Sequence, residues 1–174
     1  MQFKMAGLTN EYVQNLMKCV SPFPENFISV LPCDFFLQEI NRSKEKLKKG
    51  TCYIINLSAS NHTGSHFVAV FFTSKTTAEY FDSYATSFSI DKNLVEAFDT
   101  GGLKIQQFTK RIQSQNSQFC GIFCAAFLLS KQIGMSMEVF ASLFAGKNLS
   151  QNDKIALEIV KKFIQKFGAV RNSL

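Results

Sequence analysis

The sequence predicts an α+β domain, a mostly antiparallel central sheet of about 4–5 strands flanked by helices. Three observations predict it. Apolar residues keep helical spacing before Pro22, the pattern turns to strands after Gly50, and everything from Cys120 onward repeats with a helical period. The 174 residues contain no internal repeat, low-complexity linker or composition break, so one domain over 1–174 with a single core is expected.

Each element has its own signal. Thr9 can cap a short helix whose apolar positions are Tyr12, Val13, Leu16, Met17 and Val20, and Pro22 and Pro24 end it. Pro32 opens a second helical stretch through Phe35, Phe36, Leu37 and Ile40. Thr51–Leu57 reads as the first strand. After a turn-rich break at 61–64, Ser65–Phe72 is a second strand, apolar on both faces and therefore central. Ser74-Lys75 looks like a hairpin turn before a third strand, Thr77–Asp82. Leu94–Phe98 is a short helix, and Leu103–Phe108 alternates as a fourth strand. Three helices follow: Cys120 to about Ile133, Met137–Phe144, and Asp153–Phe167. Ser150 with Asp153 resembles a capping box for the last.

Bulk properties narrow the function. Hydrophobic residues make up 46%, Phe occurs 19 times and Trp is absent, so the core can be well filled. Lys and Arg outnumber Asp and Glu by 19 to 13, for a net charge of +6. That excess fits an acidic partner such as nucleic acid, although most basic runs are solvated faces. Five cysteines in mostly apolar surroundings point to a reduced, intracellular protein in which Cys19, Cys33 and Cys52 are buried structural residues. The first residues lack the apolar core of a signal peptide, and no apolar run reaches the roughly 18–20 residues that span a bilayer. A soluble protein of the cytoplasm or nucleus, with no membrane partner, is expected.

The segment Gln113–Leu129 carries the sharpest chemistry. A polar run ends at Cys120-Gly121, and an apolar helix follows at once. That places the Cys120 thiol at a helix N-terminus, where free N–H groups and the helix dipole favour an anion, here the nucleophilic thiolate. Only His62 and His66 can serve as a base. His66 is favoured because it begins a strand, which can hold its ring at a cleft. Asp82 closes the neighbouring strand and can orient the imidazole. Taken alone, His66 would be a packed strand-end histidine and Asp82 a turn residue. Gln113 can donate to an oxyanion beside the Cys120 backbone N–H, but by spacing Gln115 and Gln118 compete.

The order His66-Phe67, then Phe81-Asp82-Ser83, then Gln113-x6-Cys120-Gly121-x-Phe123-Cys124 resembles the adenovirus-type, adenain-like maturation proteases. It is similar, more distantly, to the SUMO- and other ubiquitin-like-protein-specific proteases. The likeness spans about residues 27–130, with Asn116 and Ser117 also at matching offsets. It implies Cys120 as nucleophile, His66 as base and then acid, Asp82 as orienting carboxylate and Gln113 as oxyanion donor. Phe67 stands where the family commonly has Trp, and the adenoviral acid is Glu rather than Asp.

The resemblance further implies a viral cysteine endopeptidase that cleaves capsid and core precursors next to Gly during virion maturation, in the virion and the infected cytoplasm or nucleus. A virophage, adintovirus-like or Polinton-like element would be its source. The chemistry needs no cofactor, but DNA and a viral peptide are expected as activators. The candidate DNA contacts are Lys44, Lys46, Lys48, Lys49, Lys110, Arg111, Lys161 and Lys162. The enzyme is expected to be a monomer. Three rivals remain. One is a protease for Gly-Gly-ended ubiquitin-like proteins, and another a non-enzymatic nucleic-acid-binding module. The third is a zinc site from His62-x3-His66 and Cys120-x3-Cys124, disfavoured because Cys124 falls inside an apolar helix, so no metal is expected.

Overall fold

The computed structural model describes residues 8–60, 66–146 and 148–168. In chain order the elements are α1 (Asn10–Val20), β1 (Phe27–Pro32), α2 (Cys33–Ser43), β2 (Cys52–Asn56), β3 (Phe67–Phe72), β4 (Thr77–Phe81), α3 (Lys92–Gly101), β5 (Lys104–Gln107), α4 (Cys120–Gln132), α5 (Met137–Ser142) and α6 (Leu149–Phe163). The strands form one sheet in sequence order, β1 to β5. The two central pairings are antiparallel and the two outer ones parallel, which makes the sheet mixed. The parallel pairs arise because α2 carries the chain from β1 to β2 and α3 carries it from β4 to β5.

Side chains alternate across the sheet, so its two faces build two cores. On one face Tyr53, Ile55, Val68, Val70, Phe72 and Tyr80 pack under α2 and α3, against Phe36, Ile40, Leu94 and Phe98. On the other, Cys52, Ile54, Phe67, Ala69, Phe71 and Phe81 pack under α1, α4, α5 and α6. Phenylalanine dominates there. Phe81 stacks on Phe127 with centroids 4.5 Å apart, and Phe140 meets both edge-on at 5.7 and 5.4 Å. β3 is buried along its whole length, as its doubly apolar pattern predicts.

Thr9 caps α1 by accepting from the Tyr12 N–H, and Pro32 precedes α2 as expected. β1 is an addition to the predicted elements. Its sequence Phe-Ile-Ser-Val-Leu-Pro does not alternate, and only Phe27 is buried. The expected capping box is overturned: α6 begins at Leu149, its cap is Asn148, and the Asn148 Oδ1 accepts from Ser150 N. Asp153 is drawn elsewhere, as described below. α6 ends at Phe163 and continues as a π-helical turn over Ile164–Gly168. Among the described residues, no helix is long and apolar enough to cross a membrane.

Candidate active site

Cys120 is the first residue of α4, the most deeply buried helix. Phe119, its N-cap, offers no side-chain acceptor, and the first helical bond runs from Phe123 N to Phe119 O. The N–H groups of Cys120, Gly121 and Ile122 therefore receive no cap from the side chain of residue 119. Gly121 follows for a steric reason. A Cβ there would lie 3.0 Å from both Leu8 Cδ1 and Val13 Cγ2, and 3.4 Å from Phe67 Cδ2. Glycine lets α4 approach α1 and β3 this closely, with the Cys120 residue 9% exposed at the start of the helix.

His66 stands one residue before β3 and extends the β2–β3 ladder, its carbonyl accepting from Leu57 N at 2.8 Å. Asp82 stands one residue past β4, the antiparallel partner of β3. The pairing brings the start of one strand beside the end of the other. His66 Nε2 and Asp82 Oδ1 meet there at 2.8 Å. Asp82 is fully buried, and the His66 ring is 14% exposed. The same Oδ1 accepts from Tyr84 N at 2.8 Å, so Asp82 is both the turn residue and the imidazole's partner.

The other ring nitrogen, Nδ1, is buried and makes no hydrogen bond of good geometry, yet Cys120 lies close enough to bias the ring toward its charged form. Burial pushes the imidazole pKa down. Asp82 and Cys120 outweigh it and raise the value from 6.5 to about 9. The ring therefore carries its proton at neutral pH, between Asp82 and Cys120.

Gln113 is fully buried in the loop that leads to Cys120. Its backbone N donates to Ser83 O, its Oε1 accepts from Ser83 Oγ, and its Nε2 donates to Ser117 O at 2.9 Å and Ser117 Oγ at 3.1 Å. The structure thus brings His66, Asp82 and Cys120 together, while Gln113 holds the approach loop and makes no hydrogen bond to Cys120. Ser117 Oγ also accepts from Phe119 N and donates to Asp153 Oδ1 at 2.9 Å. Asn152 Nδ2 donates to Ile112 O at 2.8 Å. Two neighbouring residues of α6 therefore pin both ends of the loop. Burial raises the Asp153 pKa, against the lowering effect of the Ser117 bond.

Sequence reasoning passed over Tyr84. Its ring tilts over His66 at 4.8 Å, its hydroxyl donates to Ser117 O at 3.1 Å, and the Arg111 guanidinium lies 5.7 Å from its centroid. An aromatic two residues after the candidate acid was the available signal.

Cys33, Cys52 and Cys124 are buried as expected, whereas Cys19 is exposed on α1. The zinc reading involved His62, which lies outside the described residues. Among the described residues no three His, Cys, Asp or Glu side chains gather to hold a metal. Of the basic candidates, Lys44, Lys46, Lys48 and Lys49 are exposed, while Lys161 pairs with Glu158 at 2.7 Å and Lys110 donates to Ala141 O.

No family model and no curated protein sequence matches the chain. Solved structures do match its fold. AvrA delL154, determined with IP6 and CoA, matches with a TM-score of 0.52 and 18% identity over 84% of this chain and 54% of AvrA, so the chain spans about half of AvrA's length. The ASFV pS273R protease matches with a TM-score of 0.49 and 16% identity over 86% of this chain and 66% of that one. The SUMO protease Ulp1, with its catalytic cysteine oxidised to a sulfinic acid, matches with a TM-score of 0.51 and 16% identity, over 92% of this chain and 78% of Ulp1. The α+β fold with its five-stranded mixed sheet is thus similar to the fold of the SUMO protease Ulp1.

Proposed function

We propose that this chain is a cysteine endopeptidase with Cys120, His66 and Asp82 as its triad. One observation carries the reading: Asp82 occupies His66 Nε2, which leaves the buried Nδ1 for the thiol that begins α4.

In the proposed reaction the Cys120 thiolate attacks the substrate carbonyl carbon, and the oxygen takes the negative charge. The Cys120 backbone N–H donates to that oxygen. The Gln113 Nε2 is the second donor, once it exchanges a Ser117 acceptor for the oxyanion. His66 gives its Nδ1 proton to the leaving amine, and the C–N bond breaks to leave a thioester. Water then loses a proton to His66 and attacks the thioester, releasing the acid and the thiolate. Asp82 stays ionised throughout and fixes the ring.

The substrates in this reading are capsid and core precursors of a virus or virus-like element, cut next to glycine during virion maturation by a monomeric enzyme. DNA and a viral peptide act as activators, with the exposed lysines Lys44, Lys46, Lys48 and Lys49 as the DNA contact. The likeness to a SUMO protease over 92% of this chain favours a second reading, cleavage after the Gly-Gly end of a ubiquitin-like protein.

Co-expression with candidate capsid precursors, or with a ubiquitin-like protein fused at its C-terminus, separates the two. Intact mass is compared for the wild type and Cys120→Ala. Capsid-precursor cleavage beside glycine that disappears in the variant supports the first reading. Cleavage of the fusion alone supports the second. The same products from Cys120→Ala would sink both.

A further inference from the structure

Arg111 has a place that the proposed chemistry does not use. Its Nε donates to Gln113 O at 3.1 Å, which fixes the base of the guanidinium on the loop before Cys120. Its planar group lies 5.7 Å from the centroid of Tyr84, whose ring sits 4.8 Å from that of His66. The cation is thus one aromatic ring away from the candidate base. Among the described residues it forms no ion pair, and its two terminal nitrogens have no acceptor. The carboxylates near this cluster are both committed, Asp82 to His66 and Asp153 to Ser117. Arg111 is exposed. A fixed, unpaired guanidinium offers two donors in a planar fork, which matches a carboxylate.

We propose that Arg111 is a specificity-determining residue that selects an acidic side chain within about three residues of the scissile bond, given the roughly 3.3–3.6 Å that each extended residue spans. The inference rests on the endopeptidase reading and adds a substrate class to it: glycine at the cut and Asp or Glu close by. Arg111 does not touch the reacting atoms. It acts by pairing with the substrate carboxylate while Tyr84 backs its other side.

Quenched fluorescent peptides with a Gly-Gly centre provide the test. Glu, Gln or Lys is placed singly at each of the three positions on either side. At one or more positions the wild type is expected to cleave the Glu peptide about 5-fold faster in kcat/KM than the Lys peptide, a preference weakened by added salt. Arg111→Lys should retain part of the preference, and Arg111→Glu should invert it. Because the readout is a ratio, partial loss of folded enzyme does not mimic the result. Cleavage with equal ratios in wild type and Arg111→Glu overturns the inference and leaves the protease reading standing.

The affinity of the Glu and Lys peptides for Cys120→Ala, with and without Arg111→Glu, separates the remaining outcomes. If no peptide is cleaved but Glu-peptide binding depends on Arg111, Arg111 selects an acidic side chain in a bound peptide, and its placement near a scissile bond falls with the protease reading. No cleavage and no charge-dependent binding overturns both.

Discussion

His66 holds its proton well above the pH at which a free imidazole loses it, and that has a thermodynamic sign. Its pKa is raised on folding, from 6.5 to about 9, so the native state binds the proton more tightly than the unfolded state. The resulting stabilisation is complete below pH 6.5 and fades as the pH rises through about 9. The Tm difference between wild type and His66→Gln should therefore narrow between pH 6 and pH 9.5. A difference that is flat with pH would mean the ring is not held charged. Asp82→Asn should lower the kcat/KM of the proposed cleavage by roughly 100-fold or more, because the ring loses both its orienting acceptor and the countercharge. The alkylation rate of Cys120 at pH 6 should fall in the same variant, a readout that needs no substrate.

At the scale of elements, the junctions between regular segments decide the site. The start of α4 packs close against Leu8, Val13 and Phe67 at residue 121, which has no Cβ. Gly121→Ala should cost about 1–3 kcal/mol by overpacking Leu8, Val13 and Phe67, read as a lower denaturation midpoint in urea. The pins from α6 make a second prediction. Asn152→Ala leaves the Ile112 carbonyl without its buried donor and should cost about 1–3 kcal/mol.

These junctions also mark how far the sequence could be read. Doubly apolar β3, the cap at Thr9 and the polar-to-apolar switch at Cys120 are local signals, and each leads to the observed element. β1 was illegible because an edge strand that is buried at one position carries no alternation. The start of α6 was misread because Asp153 has the right spacing for a capping box but bonds to Ser117, 36 residues away. Tyr84 and Arg111 are adjacent only in three dimensions. The clamp that Gln113 makes between Ser83 and Ser117 was hidden for the same reason.

Across the whole molecule, two cores on opposite faces of one sheet make the site a boundary object. His66 and Asp82 flank the ends of strands shared by both cores, and Cys120 begins a helix that lies in one of them. A charged pair braces the same sheet farther along. Lys131 of α4 meets the Glu79 carboxylate of β4 at 2.9 Å, with both side chains more than nine-tenths buried, and its Nζ lies 5.5 Å from the centroid of Phe71. Lys131→Met strands a buried carboxylate and should cost about 3–5 kcal/mol, whereas Lys131→Met with Glu79→Leu should recover much of that loss in thermal unfolding. The net charge of +6 bears on the proposed DNA contact. Replacing Lys44, Lys46, Lys48 and Lys49 by Gln should weaken duplex binding and flatten its dependence on salt. An unchanged salt slope would place any DNA contact elsewhere.

The α6 pins also impose an order in time. During synthesis Cys120 is made before Asn152 and Asp153, which clamp the loop ahead of it. A nascent chain that has just passed Cys120 holds the thiol, the imidazole and the carboxylate, but not the two side chains that pin the loop before it. Those two contacts to the loop can therefore form only after the start of α6 has been synthesised, so the loop is the part of this region that the chain completes last.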